Sequence, residues 1–205
     1  MTNSVSALAR QTDVRTEKQQ AVLDQAIRTF AELGFRGTDV QMIADRAGVG
    51  KGTVYRYFGS KEELFQAATY EVDTRLIAYI GEALAEVEDP IETIRIAGLK
   101  YAEFFDRHPY HLEIMAQDRA EFRGQVPEAH RQRHEEMIAS FGEILQRGID
   151  NGQLRPMDVR QAVLSFGAIL YGVAMQACYV KSEYTMVKLS KHAIEIFIRG
   201  VSRES

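Results

Sequence analysis

Apolar positions recur with a helical period along nearly the whole chain. From Thr16 onward, Val22, Ala26, Phe30 and Leu33 fall on one helical face. Gly34 then ends the stretch as a glycine able to take left-handed backbone. Thr38-Asp-Val-Gln41 has the form of a capping box, with the Thr38 hydroxyl on a new helix and the Gln41 side chain reaching back. That second helix is short, with Val40, Ile43, Ala44 and Ala47 inward and Gly48 at its end. A third short helix is predicted from Lys51 to Tyr57. Ser60-Lys-Glu-Glu63 is a further capping box, opening a long helix predicted to reach Glu88. Pro90 suits the first turn of the next helix, which runs to Asp106, where His108-Pro109 breaks it. Helices are then predicted over Tyr110–Arg119, Glu128–Asp150 (stopped by Asn151-Gly152), Asp158–Val180 and Thr185–Gly200. No segment alternates with the period of a strand. The pattern predicts an all-α, nine-helix, two-domain protein: a polar, flexible N-terminal arm over residues 1–14, a three-helix domain over 15–60, and a C-terminal helical domain over 61–205.

Composition adds little until the chain is divided. The 205 residues are 45% hydrophobic and 26% charged, enough for a packed core. The net charge of −4 gives no overall attraction to nucleic acid. Residues 1–65 nevertheless carry 9 Lys/Arg against 8 Asp/Glu, whereas the remainder carries 16 against 21. Any contact with DNA therefore falls to cations of the N-terminal part. A single cysteine, Cys178, excludes an intrachain disulfide and fits a reducing, cytoplasmic setting. Met1 to Gln20 lacks the apolar core of a secretory signal. Ala162 to Val180 holds 19 residues without a charge, long enough to test as a membrane span. Its Ser165, Gly167, Gly172, Gln176 and Tyr179, and the capping Asp158 before it, favour a helix covered by protein. No membrane partner is expected.

The chemistry concentrates in residues 35–65. Two short helices meet at Gly48-Val49-Gly50, and the second presents Lys51, Thr53, Tyr55, Arg56 and Tyr57. These cations and hydroxyls suit phosphates and base edges. A helix-turn-helix sets the start of its second helix in the major groove, and Gly50 and Gly52 would allow close approach. The free N–H groups opening the Thr38 and Ser60 helices are expected phosphate sites, with Lys61 beside the latter. Phe58 reads as a core aromatic; Tyr55 fits either core or interface. Arg28 and Arg46 read as a solvated face. Ala47-Gly-Val-Gly-Lys-Gly-Thr53 is not a nucleotide-binding loop, because Gly52 separates Lys51 from Thr53 and a helix, not a strand, precedes it.

The order Gly34-Phe35…Thr38, Ile43-Ala44…Ala47-Gly-Val49, Lys51-Gly-Thr53…Tyr55…Tyr57-Phe58 and Ser60-Lys-Glu-Glu-Leu64 resembles the signature of the tetracycline-repressor (TetR) family. The likeness covers residues 15–65. It implies an all-helical homodimer with an N-terminal domain for double-stranded operator DNA. The divergent C-terminal domain would dimerise and bind a small-molecule effector. Carried over by position, Thr38, Tyr55, Tyr57 and Lys61 are expected at phosphates, and Lys51, Gly52, Thr53 and Arg56 on the recognition helix. Gly50 departs from the pattern, standing where the family often has a capping Ser or Thr.

The C-terminal part carries no catalytic constellation, and neither a cofactor nor a metal is expected. His130 and His134 share a helix face but sit in a charged run, and His108-Pro-Tyr-His111 reads as a helix break. Aromatic and flexible apolar residues are the candidates for an effector pocket: Tyr101, Phe104, Phe105, Met115, Phe122, Met137, Phe141, Phe166, Tyr171 and Met175, with Arg119 and Glu121 as polar partners. Gly167, Leu170, Gly172, Ala174 and Ala177, with Ile194, Phe197 and Ile198 of the last helix, are the candidate dimer interface. The predicted function is a DNA-binding regulator, a repressor released by a small apolar or aromatic effector. The alternative is a binding module whose helix-turn-helix does not read DNA.

Overall fold

The computed structural model describes residues 16–122, 127–179 and 185–203, without the side chains of Arg119, Phe122, Ala129, Cys178 and Tyr179. The arm expected over 1–14, the Val180 end of its helix, and the pocket side chains Arg119 and Phe122 lie outside that description. Nine helices occupy the described residues: α1 (Glu17–Gly37), α2 (Val40–Arg46), α3 (Lys51–Phe58), α4 (Lys61–Ala83), α5 (Pro90–Arg107), α6 (Pro109–Phe122), α7 (Glu128–Asp150), α8 (Val159–Tyr179) and α9 (Met186–Val201). Two compact units divide the chain. Among the described residues, one holds the chain from Thr16 to Arg75 together with His108–His130, and the other holds Leu76–Arg107 together with the chain from Arg131. This partition differs from a cut at residue 60, because α6 packs on α1.

In the N-terminal unit, Thr16 starts α1 with a complete capping box. The Gln19 N–H donates to the Thr16 hydroxyl at 3.3 Å, and the Thr16 N–H donates to the Gln19 side chain at 2.9 Å. Val22, Leu23, Ala26, Ile27 and Phe30 are buried. Gly34 then kinks the helix at φ 75° and ψ 161°, a region essentially closed to other residues. Leu33, expected inward, is 42% exposed. Beyond the kink Phe35 takes the inward place, with its ring centroid 5.3 Å from that of Phe65 and 6.0 Å from that of Phe30. Phe30 and Phe65 meet edge-to-face at 5.0 Å. Arg46 does more than face solvent: it donates to Glu32 at 2.7 Å and to the Thr29 hydroxyl at 3.0 Å, tying α2 to α1.

The same unit holds a half-buried polar network. Arg75 of α4 donates to Glu71 at 2.8 Å and also to Asp24 of α1, while Gln20 donates to Glu71 at 2.9 Å. His111 of α6 is buried near them. Burial foremost, then His108 and Arg75, pushes its imidazole down from 6.5 to about 4, against the pull of Asp24 and Glu71.

The long helix stops at Ala83, before the expected Glu88. Leu84, fully buried, turns the chain instead, with the Val87 N–H on its carbonyl at 3.2 Å. Asp89 then caps α5 through the Glu92 N–H at 2.8 Å. Within the C-terminal unit α9 packs against α5 and α8. Gly98 permits that approach, since a Cβ there would lie 2.6 Å from Ile194 Cδ1 and 3.0 Å from Phe166 Cζ. Asp158 caps α8 as expected, accepting from the Gln161 N–H at 3.0 Å, and Thr185 caps α9, accepting from the Lys188 N–H at 3.2 Å.

The residues expected at an interface on α8 and α9 divide by their burial within this chain. Leu170, Ala174, Ile194, Phe197 and Ile198 are buried within this single chain; the Phe166 and Phe197 rings meet at a tilt of 38° with centroids 4.8 Å apart. Gly167 and Gly172 are exposed and Ala177 half-buried. Outward apolar groups are Leu164, 43% exposed, and Ile196, 59% exposed. No helix of the described residues is long and apolar enough to cross a membrane.

Candidate nucleic-acid interface

The turn between α2 and α3 is fixed by backbone geometry. The Val49 N–H donates to Ala44 O at 3.0 Å and the Gly48 N–H to Asp45 O at 3.2 Å, which is a Schellman closure. It requires left-handed backbone at Gly48, whose φ is 66°. Gly50 follows as N-cap of α3, with φ −75°, ψ 146° and no side-chain bond to the helix. A Cβ at either Gly50 or Gly52 would meet nothing within 4 Å, so open space lies in front of this helix start.

Of α3, only Val54 is buried. Gly52, Tyr55 and Arg56 are exposed; Lys51, Thr53 and Tyr57 are half-buried. Tyr55, left open between core and interface, faces outward at 41% exposure. Phe58, expected in the core, is half-buried and meets Tyr57 edge-to-face at 6.2 Å. The Arg56 guanidinium lies 5.5 Å from the Tyr57 ring centroid, and the Lys61 ammonium 4.8 Å from that of Phe35. Aromatic faces therefore steady both cations while leaving their charge uncompensated by these contacts. Ser60 caps α4 from the Glu63 N–H at 3.1 Å, with Lys61 at that terminus.

Thr38 behaves differently from expectation. It is 3% exposed, and its hydroxyl donates to Gly34 O at 2.8 Å and Thr29 O at 3.4 Å, closing the end of α1. Asp39, not Thr38, caps α2, accepting from the Gln41 N–H at 2.8 Å. Thr38 and Asp39 are both N-cap residue types; burial of the threonine gives the cap to the aspartate. The N-terminus of α2, expected free for a phosphate, is thus already held by a carboxylate. Asp39 also accepts from Lys51 Nζ at 2.8 Å. The bond from Lys51, and after it the Gln41 N–H, holds the Asp39 carboxyl below its usual range, and the same bond raises the Lys51 ammonium. Sequence reasoning missed this residue, although an Asp immediately before the apolar Val40 is a cap signal in its own right.

The effector candidates divide between the units. Met115 lies on α6 in the N-terminal unit, where Glu121 pairs with Arg36 at 3.1 Å. In the C-terminal unit Tyr101 packs on Phe105 at 4.8 Å and Phe105 on Phe104 at 5.2 Å. Phe104, Phe105 and Phe166 are buried, and Tyr101, Met137, Phe141, Tyr171 and Met175 are half-buried. His130 stacks on Tyr70 at 5.0 Å and His134 is exposed. Among the described residues no three His, Cys, Asp or Glu side chains form a group able to hold a metal.

Comparison with known proteins gives this geometry a context. Residues 22–68 match the model of bacterial regulatory proteins of the tetR family. The chain is 30% identical over 187 residues to the HTH-type transcriptional repressor KstR2 of Mycobacterium tuberculosis, covering 89% of this chain and 92% of that protein. Its fold is similar to fatty acid degradation regulator FadR of Bacillus halodurans (TM-score 0.80, 21% identity, 91% of this chain and 97% of that one). It is also similar to FadR of Bacillus subtilis, solved in complex with stearoyl-CoA (TM-score 0.79, 20% identity, 89% and 98%).

Proposed function

Because the chain belongs to the tetR family of transcriptional regulators, we propose that it represses transcription by binding a near-palindromic operator as a homodimer. A small apolar or aromatic effector releases it. The observation that carries the DNA-binding half is α3: a short helix on a glycine-fixed turn that buries only Val54 and turns Tyr55 and Arg56 outward. Arg56 and the Gly52-Thr53 turn of α3 read base edges, while Lys51 at the helix start, Tyr55, Tyr57 and Lys61 hold phosphates. Two such helices about one DNA turn apart, roughly 34–36 Å, match an inverted repeat.

Dimerisation is assigned to the outer faces of α8 and α9. Support comes from the exposed Leu164 and Ile196, and from Gly167 and Gly172, where a Cβ would meet nothing within 4 Å. The half-buried Tyr101, Met137 and Phe141, which border the C-terminal core, are the favoured effector contacts. The stearoyl-CoA held by the FadR of Bacillus subtilis makes a long acyl chain the first effector to try. Release follows if the effector favours the conformation that does not bind DNA, and by no more than its differential affinity.

The test is binding to the DNA upstream of the chain's own gene, against random duplex, across a salt series. The proposal expects tight binding to the former, two chains per site and a steep salt dependence, and weaker binding once effector is added. Equal, weak binding to both duplexes would overturn it.

A further inference from the structure

Asp39 stands at the edge of the proposed DNA surface with a charge that opposes binding. Its carboxylate has two partners: the Gln41 N–H at 2.8 Å, which it caps, and the Lys51 ammonium at 2.8 Å. Both side chains remain accessible, 61% exposed for Asp39 and 38% for Lys51. Lys51 opens α3, the end of a recognition helix that enters the groove. A phosphate approaching Lys51 therefore meets an ammonium whose charge a carboxylate already offsets. Because Asp39 is held in place by the cap, its negative charge stays behind facing the DNA. Lys61 lies within the field of the same carboxylate.

We propose that Asp39 is a specificity-determining residue: by occupying Lys51 it suppresses binding to non-operator DNA. The inference rests on the DNA-binding reading above. On random sequence, affinity comes almost entirely from cations that neutralise phosphates and release counterions. Removing one cation per protomer from that set weakens binding there. On the operator, base contacts from the rest of α3 supply additional affinity, so the ratio between the two rises. An aspartate is better suited to this than a neutral cap, since serine or asparagine would cap α2 without restraining Lys51.

The experiment compares wild type, Asp39→Asn, Lys51→Met and the double variant on two duplexes across a salt series. One duplex is enriched by wild type from a random pool and the other is unselected. Asparagine caps as well as aspartate, so Asp39→Asn removes the charge and keeps the helix start; Asp39→Ser is a second uncharged cap. Asp39→Asn should bind random duplex more tightly. Its logarithmic salt slope should be steeper by about 0.9 per protomer, about 1.8 per dimer, which adds roughly ten-fold to the loss of affinity between about 50 and 200 mM salt. The ratio of operator to random affinity should fall. In the Lys51→Met background the same substitution should leave the slope unchanged. An unchanged slope for both uncharged variants, weaker binding to both duplexes, or an equal change with and without Lys51 would overturn the proposal. If wild type enriches no sequence, the repressor reading fails, while the slopes on random duplex still decide the role of Asp39.

Discussion

Replacing Thr38 with valine separates two roles that the same residue could have. The side chain keeps its branched shape and loses only the hydroxyl, which donates to Gly34 O at 2.8 Å and Thr29 O at 3.4 Å in a site 3% exposed. Losing the hydrogen bond and leaving a buried carbonyl short of a donor costs about 1–3 kcal/mol. The added methyl offsets something under about 0.8 kcal/mol of that. A net destabilisation of about 1–2 kcal/mol follows, or roughly 2–8 °C in melting temperature for a chain of this size. Equilibrium unfolding in urea, at fixed protein concentration, should show a lower midpoint with the slope m unchanged. The folded variant should bind operator and random duplex at fixed salt as tightly as wild type, because no phosphate contact has been removed. Unaltered stability with weaker binding to operator and random duplex alike would refute the reasoning and restore Thr38 as a phosphate contact.

Three further outcomes follow from the geometry. Gly34→Ala forces a Cβ into backbone at φ 75° and ψ 161° and should cost about 1–3 kcal/mol, read as a lower urea midpoint even though its Cβ would meet no neighbour within 4 Å. Gly50→Ser should do the opposite: its φ of −75° suits any residue, the hydroxyl can cap α3, and the unfolded chain loses freedom, together worth about 0.5–1 kcal/mol in the same assay. His111 should make stability fall with acid. Its folded value of about 4 lies below its ordinary 6.5, so the unfolded chain binds the proton first and stability rises with pH through that window. The loss from neutral pH to about pH 5.5 should be about 1–1.5 kcal/mol, seen as a difference from His111→Leu in unfolding free energy against pH; parallel profiles would contradict it.

Local chemistry was legible in the sequence. The caps at Ser60 and Asp158 and the glycine turn at Gly48 each depend on residues within a few positions, and each forms as read. Thr38 and Asp39 could not be told apart locally, since both residue types cap and only burial against α1 chooses. The Asp39–Lys51 pair spans a turn, so it needed the relative placement of α2 and α3. On α8 the apolar run is nearly continuous, so periodicity cannot say which side faces the core or separate the buried Leu170 and Ala174 from the exposed Gly167 and Gly172. Packing of α6 on α1 joins segments far apart in sequence, which is why the compact units do not follow the cut at residue 60.

Whether the chain reads DNA as a two-fold dimer is decided by letting the purified protein select duplexes from a random-sequence pool. A dimer with its two α3 helices one DNA turn apart should enrich an inverted repeat whose half-sites are centred about 10–10.5 base pairs apart, bound by two chains. A pool that stays random after repeated rounds, or a single asymmetric site bound by one chain, would contradict it.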